Sequence, residues 1–327
     1  MNSDSISIVV PVYNSEAILP ELISRLGNVL PGLAKRFEVI LVNDGSRDGS
    51  WGVVCDLEAK YTWVYGINLM RNYGQHNALL CGIRAAKYKV IVTMDDDLQN
   101  PPEEIPKLLN KLAEGNDVVY GTPQEERHGF WRDMASQVTK LALQSAMGAK
   151  IARKVSAFRV FRTEVRNAFA NYRSPFVSID VLLTWGTTKF ESIEVQHDAR
   201  QAGVSNYTFR KLVAHAFNMM TGFSAVPLQF ASLMGFVFTF FGIIVLAYVI
   251  GRYLILGYSV PGFPFLASII AIFSGAQLCS LGIMGEYLAR MHYRTMERPP
   301  FIVSAKCKGK ESTTSKGNLG NDKNIES

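Results

Sequence analysis

The sequence predicts an α/β domain on a mostly parallel sheet, followed by a hairpin of two membrane-spanning helices. Three observations predict it. Strand-like and helix-like segments alternate from Ile6 to Thr122, and the strand segments are almost continuously apolar. No Lys, Arg, Asp or Glu occurs between Leu212 and Gly251. Alternation of this kind implies parallel strands covered on both faces by helices.

In chain order the expected strands are "ISIVVPV" (6–12), "FEVILV" (37–42), "WVYGINL" (63–69), "KVIVTM" (89–94) and "DVVYGT" (117–122). Each is rich in β-branched and aromatic residues and short enough for a strand. Between them, "EAILPELISRLGNVL", "SWGVVCDLEAKY", "HNALLCGIRAAK" and "PEEIPKLLNKLAEG" carry the helical period of apolar residues. No internal repeat is present. The catalytic or binding unit is thus expected over residues 1–208.

Beyond it, "FRKLVAHAFNMMTGFSAVP" opens with two basic residues and is expected as an interfacial helix over 209–229, the alternative being an early part of the first span. "FASLMGFVFTFFGIIVLAYVIG" and "FPFLASIIAIFSGAQLCSLGIMG" are each long enough for a hydrocarbon core about 30 Å thick. They predict spans near 230–252 and 263–286, within a membrane region ending at about 290. The short "RYLILGYSVPG" between them makes a hairpin. Arg200, Arg210 and Lys211 precede the pair. Arg290, Arg294 and Arg298, then Lys306, Lys308, Lys310, Lys316 and Lys323, follow it; the hairpin loop holds only Arg252. This asymmetry expects an integral plasma (inner) membrane protein with both termini and the catalytic domain cytoplasmic. Residues 291–327 read as a basic tail, disordered after about 305.

The net charge of +6 sits largely beside the membrane segments, so a membrane and not nucleic acid is the expected partner. The start "MNSDSISIVVPVYN" lacks a basic region and its apolar run is short and alternating, so a secretory signal is not expected. Cys55, Cys81, Cys279 and Cys307 show no CxxC pairing and no metal spacing with the five histidines. They are expected as reduced thiols, and zinc is not expected.

In a parallel sheet the ligand sits beyond the carboxyl ends of the strands. Those ends carry Pro11-Val12-Tyr13-Asn14, Asn43-Asp44-Gly45-Ser46, Arg71-Asn72-Tyr73-Gly74 and Asp95-Asp96-Asp97. Two carboxylates 4 Å apart repel by about 4 kcal/mol at an effective dielectric of 20; a cation is the usual reason to tolerate three in a row at a strand end, and a solvated acidic turn is the alternative. Asp95 and Asp97 fall on one side of an extended segment, and Gln99 continues the alternation. Such a set suits Mg2+ or Mn2+, which prefer oxygen and bridge phosphates. The first turn, "PVYNSE", lacks the glycines of a dinucleotide fingerprint, and there is no P-loop. "DGSRDG" starts like a calcium loop, but its twelfth position is Cys55. With Asp44 placed for a base or ribose, the residues read as a nucleoside-diphosphate site with a divalent metal.

"IVVPVYN", "VNDGS", "RNYGQHNALLCGI" and "MDDDLQNPPEEIPKLL", followed by two spans, resemble family 2 glycosyltransferases of the GT-A (Rossmann-like) fold, in the polyprenyl-phosphate subgroup. The resemblance covers roughly residues 5–300. It implies a nucleotide-sugar donor contacted by Pro11, Tyr13, Asn14, Asp44, Asn72, Asp95 and Asp96. It implies a metal on Asp95, Asp97 and Gln99, and a polyprenyl-phosphate acceptor such as undecaprenyl phosphate. It further implies phosphate-gripping arginines, for which Arg132 and Arg159 stand with Asp97 as the catalytic set. The acceptor candidates are Ser136, Ser205, Asn206 and Tyr207, and a homo-oligomer is expected. Two departures stand out. Ser156 and Ala157 occupy a neighbourhood where some members have an acidic residue, and Asn206 replaces a lysine. The expected reaction moves one sugar from a nucleoside-diphosphate sugar, with UDP the expected nucleotide, to the lipid phosphate. The competing readings are a processive polysaccharide synthase, which would carry a Q-x-x-R-W motif absent here, and a non-catalytic nucleotide-sugar binder.

Overall fold

A computed structural model of the chain describes residues 3–123, 155–198, 226–256 and 262–307. Strand β1 (Ser3–Val12), helix α1 (Leu19–Leu33), β2 (Ala34–Asn43), α2 (Ser50–Lys60), β3 (Val64–Leu69), α3 (Gln75–Ala85) and β4 (Val90–Thr93) follow in the expected alternation. Next come α4 (Ile105–Ala113), β5 (Val118–Pro123), β6 (Arg159–Arg162), α5 (Ile179–Thr184) and β7 (Phe190–Val195). The long helices α6 (Val226–Leu256) and α7 (Phe263–Thr295) precede a last strand, β8 (Val303–Lys306).

The strands form one sheet in the order β7-β5-β6-β4-β1-β2-β3-β8. β1 pairs parallel with β2 and β4, and β2 pairs parallel with β3. The sheet is mixed, because β6 runs antiparallel between β4 and β5, and β8 runs antiparallel on the β3 edge. Helix α1 buries Leu19, Leu22, Ile23, Leu26 and Leu30, the i, i+3, i+4 stripe of an amphipathic helix, against one face with Ile8, Val10 and Val39. On the other face α3 presses close enough that a Cβ on Gly82 would meet Val9 Cγ1 at 2.3 Å. That approach requires glycine. It seats the start of α3 beside the ends of β1 and β2.

Three expectations change here. The segment after α7 is not a free tail through residue 307. It returns to the sheet as β8, with Met70 N donating to the Ile302 carbonyl at 2.9 Å. Edge pairing supplies the backbone partners that its composition did not foretell. Second, Cys55 and Cys307 are not reduced thiols but form a disulfide across 252 residues, with Cα atoms 5.5 Å apart. β8 brings Cys307 against α2, a neighbour no local spacing could reveal. Cys81 is a buried free thiol and Cys279 an exposed one. Third, α6 begins by Val226, earlier than the expected span, and runs 31 residues. At 1.5 Å per residue it is about 45 Å long, long and apolar enough to cross a membrane. α7 runs 33 residues beside it, with Phe273 edge-on to Phe238 at 5.4 Å and stacked on Phe241 at 6.4 Å between centroids. Of the expected interfacial helix, residues 209–225 lie outside the described residues.

Candidate active site

The carboxyl ends of β1, β2, β3 and β4 converge on a crevice of about 310 Å³. Pro11, Val12 and Tyr13 come from β1 and its following turn, and Asp44 from the end of β2. Asn72, Gly74 and Gln75 come from the turn into α3. Asp95, Asp96 and Asp97 follow β4. Backbone bonds register these ends: Asp44 N donates to the Val12 carbonyl at 2.9 Å and Met94 N to the Val9 carbonyl at 3.3 Å.

Within the acidic run each carboxylate has a different surrounding. Asp95 accepts from Gln75 Nε2 at 2.6 Å. Asp96 accepts from Tyr13 N at 3.2 Å and from the Ser15 hydroxyl, so it ties β1's turn to β4's. Asp97 accepts from Gln99 N at 3.2 Å. Burial, then the Asp97 and Asp96 charges, push the Asp95 carboxyl up to about 7. Burial also raises Asp96.

The fit to a divalent cation is therefore chemical. Asp95 and Asp97 repel across a half-buried gap, and a cation there would offset that repulsion. Among the described residues no three His, Cys, Asp or Glu side chains gather as a metal cage. Mg2+ is commonly held by one or two carboxylates, with substrate phosphates and water completing its shell, so a pair suffices.

Asp95 also sets a pH dependence. Its folded value, about 7, lies above the ordinary carboxylate value of about 4. Between these two pH values the folded protein binds the extra proton, so the metal-free protein loses stability as pH rises through that window. Metal binding must expel that proton. Mn2+ affinity is expected to fall about tenfold from pH 8 to pH 6, with proton release detected by calorimetry at pH 6 and little at pH 8. Equal affinities at both pH values would contradict it.

Asp44 is 2% exposed, and its two oxygens accept from Tyr73 N at 2.7 Å and Gly74 N at 2.8 Å. Burial raises its carboxyl despite those donors. It thus organises the Asn72–Gly74 turn and reaches the crevice with its remaining lone pairs. Gly45, at φ +64°, lies against the same turn. A Cβ there would stand 2.5 Å from Asn72 N. Gly45→Ala is expected to displace the turn and weaken nucleotide binding about tenfold or more, read by titration against wild type.

Several expected residues do not reach the crevice wall. Asn14, at φ +54°, accepts from Arg47 N at 2.8 Å and donates its own N–H to Ser46 Oγ at 3.0 Å, bracing a neighbouring loop. Gln99, expected on the metal, follows a turn at Leu98, φ +59°, whose side chain is buried; its N–H donates to the lining residue Asp97 at 3.2 Å, and Gln99 itself does not line the crevice. Arg159, expected on phosphate, is 1% exposed on β6 and ion-paired with Asp180, which also accepts from the Tyr120 hydroxyl at 3.2 Å. Its charge still acts on the crevice by favouring ionised Asp95. Arg132, Ser136, Ser205, Asn206 and Tyr207 lie outside the described residues. Sequence reasoning missed Gln75, Ser15 and Asp180. Gln75 and Ser15 were legible as polar residues flanking strand ends; Asp180 carried no signal.

Residues 7–174 match the family model described as "Glycosyl transferase family 2". The chain is 36% identical over 305 residues to the undecaprenyl-phosphate 4-deoxy-4-formamido-L-arabinose transferase of Shewanella sediminis, covering 92% of each. It is 35% identical over 302 residues to that of Aeromonas hydrophila, covering 91% of this chain and 92% of that one. Among solved structures, glucosyl-3-phosphoglycerate synthase from Mycobacterium tuberculosis, in complex with Mn2+, UDP-glucose and phosphoglyceric acid, is similar in fold. Its TM-score is 0.50 at 19% identity, covering 66% of this chain and 77% of that one.

Proposed function

Because the chain belongs to glycosyl transferase family 2, we propose that it transfers one sugar from a UDP-sugar to a polyprenyl phosphate, undecaprenyl phosphate, at the cytoplasmic face of the inner membrane. The observation that carries this reading is the crevice of converging strand ends lined by Asp95 and Asp97, in a chain that also holds a membrane-length apolar helix. The names of relatives about 35% identical over nine-tenths of the chain support the acceptor class. They do not transfer the sugar, because the shared motifs lie around nucleotide and metal.

Tyr13, 45% exposed at the crevice rim, offers a ring face to the nucleobase. Asp44 fixes the turn that presents Asn72 and the Gly74 backbone to the donor. Asp95 and Asp97 would hold Mg2+ or Mn2+, which would supply positive charge to offset that of the departing diphosphate. Asp96 keeps both strand ends in register through Ser15 and Tyr13 N. A phosphate oxygen of the acceptor attacks the anomeric carbon, forming the new C–O bond as the bond to the nucleoside diphosphate breaks. The acceptor's second pKa, near 6 for phosphate monoesters, leaves it ionised at neutral pH, so no general base is required. That accommodates Ser156 and Ala157 in place of an acid. Asp180 is no substitute, since Arg159 and Tyr120 occupy it.

The test is a panel of labelled UDP- and GDP-sugars with purified protein, Mn2+ or Mg2+ and undecaprenyl phosphate. Label is expected in a mild-acid-labile lipid product from one UDP-sugar only. Metal-dependent nucleotide binding without such a product from any donor would sink the acceptor assignment.

A further inference from the structure

We infer that Gln75 is the positioning residue for Asp95: its amide holds one carboxylate oxygen so that the other is left for a divalent cation. This rests on the metal reading proposed above and names the side chain that prepares the site. The three aspartates differ in how they are held. Asp96 is fixed by Tyr13 N at 3.2 Å and by the Ser15 hydroxyl, from the turn after β1. Asp97 accepts from Gln99 N at 3.2 Å, within the acidic run's own turn. Asp95 draws its partner from a helix: Gln75 Nε2 donates to its Oδ1 at 2.6 Å. Among the described residues this is the one hydrogen bond to the Asp95 side chain, so Oδ2 keeps its lone pairs.

The donor is itself firmly placed. Gln75 is the first residue of α3 and lines the crevice. Just before it, Tyr73 N and Gly74 N are held by Asp44. Just after it, Asn77 N and Ala78 N donate to the Gly74 carbonyl at 2.9 and 3.1 Å. Asn77 Nδ2 also donates to the carbonyls of Tyr73 at 2.6 Å and Pro175 at 3.3 Å. Farther along, Ala78, Leu79 and Leu80 are buried and Gly82 lies against Val9. The start of α3 cannot shift without breaking these contacts, so the Gln75 amide is presented at a fixed place.

The residue type fits the task. An ionised carboxylate only accepts hydrogen bonds, so Nε2 must face Asp95 and Oε1 must turn away from it. A lysine or arginine would also hold Asp95, but its charge would repel a cation bound beside it. A glutamate would add a further like charge to a run that already holds three. A neutral amide orients the carboxylate and leaves its whole charge for the metal. Hydrogen-bond partners behind a ligating side chain fix its orientation in this way, and their removal commonly weakens metal binding by about 10–100-fold.

The experiment is a Mn2+ titration of the full chain in detergent, without nucleotide, read as the rise in Tm with metal concentration so that weak binding is still measured. Wild type, Gln75→Met, Asp95→Ala and the double variant are compared. Methionine keeps the side chain's length and removes the donor. Gln75→Met is expected to bind Mn2+ about tenfold or more weakly than wild type. Added to Asp95→Ala, it should change Mn2+ affinity by no more than about twofold, since a residue acting through Asp95 then has nothing to hold. Unchanged Mn2+ affinity in Gln75→Met would overturn the inference. So would a loss that persists in full beside Asp95→Ala, which would make Gln75 a ligand of the metal itself. Wild-type Mn2+ affinity in Asp95→Ala would sink the metal reading and the inference with it, and that result is obtained without touching Gln75.

Discussion

Replacing Asp97 by Asn is expected to lower sugar transfer at least about 100-fold, a loss of about 2.7 kcal/mol of transition-state stabilisation. The substitution keeps the side chain's shape and one oxygen, so the turn that accepts from Gln99 N is retained. On the proposed reading it removes one of the two carboxylates that would hold a divalent cation. It also removes a neighbouring charge that pushes the Asp95 carboxyl upward. The metal-free variant should therefore be no less thermally stable than wild type while its Mn2+ affinity collapses. A variant that kept both metal affinity and transfer would end the metal assignment. One that lost activity only by unfolding would leave its Tm well below wild type, and the melt separates these cases.

The second large effect concerns stability. Arg159 and Asp180 form an ion pair with side chains 2% and 8% exposed, and Tyr120 donates into the same carboxylate. Removing one partner strands the other charge in the sheet, at a cost of about 3–5 kcal/mol. Asp180→Asn is accordingly expected to lower Tm by about 6–20 °C for a catalytic domain of this size. Replacing both residues together with apolar side chains of similar volume should recover most of that loss, because the desolvation penalty disappears along with the attraction. A Tm within 2 °C of wild type for Asp180→Asn would show that the pair is not a buried structural bond.

Much of the fold was legible because its elements announce themselves locally. The stripe of Leu19, Leu22, Ile23 and Leu26 needs no partner to be read, and neither does the run ending in Asp95. The crevice followed from the rule that parallel strands present their carboxyl ends together, and Asp44, Asn72 and the aspartates meet there. Long-range pairing left no such trace. β6 is four residues long and antiparallel, inserted between strands that precede it in the chain. β8 pairs with a strand more than two hundred residues earlier, and Cys307 meets Cys55 only because of that pairing. Asp180 finds Arg159 for the same kind of reason. The turn at Leu98 defeated the alternation argument for Gln99, since one left-handed residue ends a period of two.

Transfer to a lipid phosphate through Asp95 and Asp97 is tested by following one labelled UDP-sugar with purified protein, Mn2+ and undecaprenyl phosphate, partitioned between organic and aqueous phases. Label is expected to move into the organic phase with stoichiometric UDP release, dependent on both metal and lipid and lost in Asp97→Asn. UDP release at the same rate without lipid, with all label staying aqueous, would rule that transfer out.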